Sequence, residues 1–366
     1  MPPTPACGRR DAASPPRRTV LRALLGGALA TTLPNLGAYA AEPKPAAKLP
    51  TVARDRSFTI ATDDTSSTYY TVGVNLAALT QMRLPPEFEA DFVAETTLGS
   101  WDNALRLRAG KADFAIMQAL FGRWARDGSG VFTRFGPDPG LRAVVSLWPD
   151  VEHFLLQAKL ASTGTIEDLR NLGGAPFAVG ASGSAVEASC YLTMRRLGMD
   201  PKTTIQATNL VPSEGAAALM MGDVVGMSLP GGPPIPLVDA ILSRDVAAMR
   251  LLEFTDRQLR LIDNNAGLWR RYMVPAGTYA GQEKPLASIA QSTFLAVRAS
   301  VPNEIVQGLT QVIFENLNML RYGHPAANAI SLASAFDGLP VPLHPGAAQY
   351  FASAGLAIPK PLAPPA

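Results

Sequence analysis

Cysteine is nearly missing from this chain: Cys7 and Cys190 are its only two thiols. Cys7 lies ahead of an expected export signal and would be lost with it, which leaves one. A single thiol makes neither an internal disulfide nor, alone, a metal site. Cys7 has no apolar run before it, which excludes lipid attachment there. Cys190 falls in the apolar segment Val186–Leu192 and reads as a core residue. Histidine is also scarce, so His153, His324 and His344 are the only imidazoles available as general bases. Beyond residue 40 there is no apolar run of about eighteen residues, the length that would suggest a membrane helix. Charged residues are 17% of the chain and balance to +2, which gives no electrostatic footprint for nucleic acid or a lipid surface. There is no solenoid-period repeat and no heptad run. No cofactor and no metal is implied by what is left.

What is present begins with an address. Arg17-Arg18-Thr19-Val20-Leu21-Arg22 precedes the small apolar run Ala23–Leu33 and then Ala38-Tyr39-Ala40. A basic start, a modest apolar stretch and an A-x-A site make a secretory signal, and the paired arginines resemble the twin-arginine type. The apolar run is too short to cross a bilayer. Residues 1–40 are therefore read as a signal cleaved near Ala40, and residues 41–55 as a Pro/Ala/Lys tether. The remainder is too long for one core and suggests two lobes.

The rest of the chain is organised around Phe58–Leu79. Phe58-Thr59-Ile60-Ala61 reads as a short buried strand, and Val72, Val74, Leu76 and Leu79 mark a helix. Between them Thr62–Tyr70 is almost all hydroxyl or acid. Such a turn leaves the first N–H groups of the helix unpaired, at the positive end of its dipole. Thr62, Ser66, Ser67, Thr68 and Tyr69 become candidate ligand donors; an N-cap beside a solvated loop would use the same residues. Of the neighbouring tyrosines, Tyr69 is assigned to the cleft and Tyr70 to the core. Phe88–Ala94 is a second strand, followed by Gly99, Ser100 as N-cap of another helix, and Asn103. Phe114–Met117 is a third, with Gln118 at its tip. Alternating strands and helices predict a parallel sheet, in which these loops converge beyond the carboxyl ends of the strands.

A second unit echoes the first. Phe177–Gly180 reads as a strand that runs into Ser182, Gly183 and Ser184 and a helix ending near Leu197. Thr204–Thr208 and Val224–Leu229 read as strands around a helix starting near Val211. Gly231 and Gly232 either let backbone approach a ligand or only turn the chain. A nucleophile elbow around Ser182 would need glycine at position 184, where this chain has Ser184. Binding without chemistry is the leading reading; a serine hydrolase using Ser182 is the alternative from another class.

Several blocks, in order, are similar to the TAXI-type solute-binding proteins of tripartite (TRAP) transporters. They are Ile60–Thr62 with Thr68–Tyr70 and Gly73; Thr97, Gly99, Ser100 and Asn103–Leu105; Ala109–Ile116 with Gln118; Ser182–Ser184; Pro275–Tyr279; and Val341–Ala347. The resemblance implies an α/β, two-lobed, type II periplasmic binding protein and no enzyme. Each lobe would be a mixed sheet flanked by helices, with the ligand cleft between them. It implies capture of a small carboxylate-bearing solute, an amino acid such as glutamate or a 2-oxo or dicarboxylate, for delivery to a fused pair of membrane subunits. The same fold serving a signalling partner is an alternative. Residues 56–143 are expected in lobe 1, 144–270 in lobe 2, and 271–366 back in lobe 1. Asp63, Ser66 and Ser67 stand where the family usually has glycine. Asp63 and Asp64 would repel a plain dicarboxylate, so an amino acid with an ammonium for an aspartate suits this loop better.

Overall fold

A computed structural model describes residues 56–245 and 247–365. The expected signal, the tether and Cys7 lie outside the described residues. The first sheet grows from the strand–helix alternation. β1 (Arg56–Ala61) runs through residues 62–67 into α1 (Thr68–Arg83). β2 (Ala90–Glu95), α2 (Ser100–Arg108), β3 (Phe114–Gln118) and α3 (Ala119–Asp127) follow. β2 starts later than the expected Phe88, because Glu89 takes a left-handed φ of 47° that no strand continues through. β1 lies between β2 and β3 and is parallel to both. Ala61, Glu95 and Gln118 therefore end at one edge. β3 is buried along its whole length, as a strand covered on both faces must be. Phe58, Phe92 and Phe114 pack as a trio of rings across these strands.

β4 (Leu141–Val151) still belongs to this sheet, and β5 (Phe154–Gln157) opens the second. The change of sheet thus falls between Val151 and Phe154, later than the expected crossing at residue 144. β6 (Ala175–Ala178), α4 (Ala185–Arg196), the short α5 (Pro201–Thr204) and β7 (Ile205–Thr208) come next. They are followed by α6 (Pro212–Met221), β8 (Gly226–Ser228), α7 (Pro236–Arg244) and β9 (Met249–Leu251). After α8 (Asp256–Asp263) the chain returns to the first sheet with β10 (Arg270–Val274) and β11 (Leu286–Arg298). α9 (Asn303–Glu315), α10 (Leu317–Gly323) and α11 (Pro345–Ser353) close the fold.

The first sheet has the order β10-β11-β3-β1-β2, with β4 also on β11; the second is β7-β6-β8-β5-β9. Both are mixed. β6 is parallel to β7 and β8, whereas β11 is antiparallel to β3 and β5 to β8. An isolated bridge between Val151 and Gly231, with N–H to O distances of 2.9 and 3.1 Å, ties the crossing strand to the loop after β8. Among the described residues no helix is long and apolar enough to cross a membrane.

The packing of α11 on α9 depends on close backbone approach. A Cβ at Gly346 in α11 would lie 2.1 Å from the Asn303 carbonyl oxygen of α9. The fully buried His344 caps α11, accepting the Gly346 N–H at 3.2 Å. Backbone cannot yield as a side chain can. Gly346→Val is therefore expected at the upper end of overpacking costs, about 3 kcal/mol, read by urea unfolding. An unchanged midpoint would mean that α11 shifts freely on α9.

Candidate functional site

The loop between β1 and α1 is held by its own side chains. Asp64 Oδ1 accepts from the Ser66 N–H at 2.9 Å and from the Ser66 hydroxyl at 2.5 Å. Ser67 is the N-cap of α1, its hydroxyl accepting the Tyr70 N–H at 3.1 Å. Asp64 is thereby spent on the turn, and Asp63 is turned towards the cleft. Asp63 packs against Gly99, whose φ of 80° and missing side chain make room: a Cβ there would sit 3.3 Å from the carboxyl. Burial pushes the Asp63 carboxyl up to about 7, against the Asp64 N–H that lowers it, and the charges of Asp64 and Asp150 add to the rise.

A second carboxylate, Asp150, arrives from the end of β4. It is 2% exposed. Its Oδ2 accepts the Tyr69 hydroxyl at 2.5 Å and the Thr293 hydroxyl at 3.4 Å. The Gln118 side chain lies beside it and favours its charged form. Burial raises Asp150 to about 6, and these three neutral side chains hold it below where burial alone would put it. Its other oxygen, Oδ1, is buried without a hydrogen-bond partner, and so is Oε1 of Gln118. Gln118 itself is fixed at the tip of β3 by its N–H, which donates to the Ser100 Oγ at 2.9 Å. Tyr69 stands edge-on to Trp148, ring centroids 5.9 Å apart, and its own ionisation is pushed far up by burial and by Asp150.

The opposite wall comes from the second sheet and is apolar. Val186 at the start of α4, Pro212 at the start of α6, Leu229 after β8, and Ile235 and Leu237 around the start of α7 line it. The cleft holds about 520 Å³ of unoccupied space, part of it open to solvent. The two walls are joined by the buried Thr68 hydroxyl, which donates to the Gly232 carbonyl at 3.3 Å. The starts of α1, α2, α4, α6 and α7 all contribute lining residues, and among the described residues no lysine or arginine does. Two carboxylates and several helix N-termini thus face one space whose described lining holds no side-chain cation.

Of the residues expected from the sequence, Ser66, Ser67, Thr68, Tyr69, Ser100, Gln118 and Gly231 line this cleft. The others do not. Thr62 is fully buried and its hydroxyl donates to the Glu95 carbonyl at 2.6 Å. Asn103 is fully buried and joins three chain segments. Gly99 supports Asp63, and Gly232 accepts Thr68 while leaving room for the Trp148 ring. Ser182 is exposed, the Gly183 N–H donates to Glu187 Oε2 at 2.8 Å, and Ser184 caps α4. In this cleft the second wall is apolar, reached by Ala185 and Val186 of α4, while Ala181 and Ser184 of the Ser/Gly turn line an adjoining pocket that shares Asp63, Val186 and Pro212. Ser100 is not an N-cap; Gly99 takes that place. Tyr70 is half-buried rather than in the core, while Tyr69 is both buried and cleft-lining. The histidines are engaged away from Ser182: His153 with Val151 and Tyr279, His324 with Ala326, and His344 with Gly346. Asp150 is not foreseen from the sequence. Its only signal there is an acidic pair, Asp150 and Glu152, set in a mostly apolar stretch from Leu141 to Leu156.

Two mixed sheets joined by crossing strands, with a cleft at their junction, define the two-lobed architecture of the periplasmic solute-binding proteins. The chain belongs to the NMT1-like family, which it matches over residues 60–355. Among solved structures it is similar to MatC of Rhodopseudomonas palustris with bound malate, at 16% identity over 83% of this chain and 98% of that one, with a TM-score of 0.52. It is also similar to the periplasmic aliphatic sulphonate binding protein SsuA of Escherichia coli, at 15% identity, 73% and 78% coverage and a TM-score of 0.41.

Proposed function

We propose that this chain is the exported solute receptor of a TAXI-type TRAP transporter, capturing an amino acid in the cleft and passing it to a fused pair of membrane subunits. The observation that carries the ligand class is the pairing of opposite preferences in one space. Helix N-termini favour a carboxylate, and Asp63 with Asp150 favour an ammonium. A dicarboxylate would bring like charge to both aspartates, at about 4 kcal/mol for each contact at 4 Å near a protein surface. The ordered blocks shared with TAXI proteins support the transporter type, and the mixed two-sheet fold supports closure of two lobes over the solute.

The test is thermal unfolding of the exported part against amino acids, 2-oxo acids and dicarboxylates. A ligand at about a hundred times its dissociation constant adds roughly 2.7 kcal/mol, a shift of several degrees. A shift with one amino acid is expected. A sample that shifts with nothing, and releases no small molecule when denatured, would remove the receptor reading.

A further inference from the structure

We propose that Asp150 and Gln118 form a subsite for a protonated amine, with the wall opposite built for a short apolar stem. The subsite rests on the receptor reading and names the chemistry its cleft selects. Two acceptors define it. Asp150 Oδ1 and Gln118 Oε1 are buried, lack any partner among the described residues and belong to side chains that line the cleft. Asp150 and Gln118 are 2% and 3% exposed. A buried acceptor left unpaired is destabilising unless something supplies a donor.

The neighbours make that donor cationic. Among the described residues the donors to Asp150 are both neutral, Tyr69 and Thr293. The titratable groups coupled to it, Asp63 and Glu152, are carboxyls and supply no cation. A neutral donor would leave the charge of Asp150 unbalanced. An ammonium brings three N–H groups and one positive charge, enough for both orphan oxygens and one further acceptor. Tyr69 acts as a positioning residue, holding Oδ2 and leaving Oδ1 unpaired. The stem is defined by Val186, Pro212, Leu229, Ile235 and Leu237, which offer no side-chain hydrogen bond. A second ammonium or a distal carboxylate on the ligand would lie unpaired against them.

Two sources share this chemistry, an apolar α-amino acid and the simple amine that lacks its carboxylate. Calorimetric titration of the intact protein with leucine, isoleucine and valine, with isoamylamine, and with 4-methyl-2-oxopentanoate separates them. Binding of the amino acids but not the amine assigns the carboxylate to the helix N-termini as well; binding of both leaves the ammonium as the main determinant. Either result, with no binding of the oxo acid, supports the subsite. Asp150→Asn is expected to weaken the amine-bearing ligand about a hundredfold or more, and Gln118→Leu about tenfold. If Asp150→Asn does not fold, Gln118→Leu and the pH profile still decide. Affinity for the ammonium falls as pH drops through about 6, because protonation of Asp150 removes its charge. Preference for the oxo acid or for dicarboxylates over every amine overturns the subsite and leaves the receptor reading standing. Binding of none of these, nor of any acid in the wider panel, overturns both.

Discussion

Asn103→Leu is expected to lower stability by about 3 kcal/mol or more, with a melting temperature down by roughly 10 °C. The side chain is fully buried. Its amide donates to the Thr62 carbonyl and to the Ile116 carbonyl, both at 2.7 Å. Its oxygen accepts the Thr97 hydroxyl at 2.7 Å. One residue of α2 therefore satisfies the carboxyl end of β1, the carboxyl half of β3 and the turn after β2. Leucine is similar in volume, so the change removes hydrogen bonds rather than packing. The Ile116 carbonyl would lose this donor at about 1–3 kcal/mol, while the Thr62 carbonyl would keep the Thr97 hydroxyl at 3.0 Å and the Thr97 hydroxyl would lose its bond to Asn103. Chemical unfolding of the variant measures this directly. A loss below about 1 kcal/mol would mean that water reaches these carbonyls, and that the strand ends behind the cleft are less tightly held than the geometry requires.

Glu152→Gln is expected to stabilise the protein at pH 8 by a few kcal/mol while leaving it nearly unchanged at pH 5. Glu152 lies in the link between the two sheets and is 1% exposed. Oε1 accepts the Ser189 hydroxyl of α4 at 2.7 Å, and Oε2 has no partner among the described residues. Burial pushes its carboxyl from an ordinary 4.5 up to about 8, with the Asp150 charge adding to the rise and the Ser189 bond opposing it. A carboxyl whose folded value is raised favours the fold fully below its unfolded value. That contribution is lost as pH climbs from about 4.5 to about 8. A tenfold change in a carboxyl's proton affinity on folding is worth about 1.4 kcal/mol. Asp63 and Asp150 act in the same sense, up to about 7 and about 6. His153, lowered to about 4 by burial, acts in the opposite sense between about 4 and 6.5. Those groups remain in the variant, so the difference between the two melting curves isolates Glu152. Melting temperatures of wild type and variant that stay parallel from pH 6.5 to 8.5 would sink the assignment.

Much of the fold was legible because it is written locally. The apolar runs at Phe58–Ala61, Phe114–Met117 and Phe177–Gly180 each lie on or overlap a strand, since a strand buried on both faces needs an unbroken apolar run. Ser67 and Ser184 are both N-caps, since serine before an apolar helix meets the orphan N–H groups of that helix. The first wall of the cleft follows from those two facts and from parallel strands. Ser66, Ser67, Thr68, Tyr69, Ser100 and Gln118 sit at the ends of neighbouring elements that must share an edge.

The second wall was not legible. Ser182 and Gly183 repeat the residue types of the first turn, but whether a turn or the helix behind it reaches the ligand depends on how the two sheets are set together. The change of sheet was expected too early for a related reason. The mostly apolar stretch from Leu141 to Leu156 does not reveal that its first part pairs with β11 and its last part with β8 and β9.

By itself the sequence determined the strand–helix alternation, the helix caps and the polar wall built from β1 to β3, all consequences of hydrogen-bond and burial needs within a few residues. Only the tertiary structure decided that Asp150 belongs to the cleft. Side chains alternate along a strand, and a slip of one residue sends each to the other face. Asp150 lies opposite Gln291 in a pairing whose register shifts between Ser292 and Phe294. Its direction is therefore set by β11, well over a hundred positions further along the chain, and not by its neighbours in sequence.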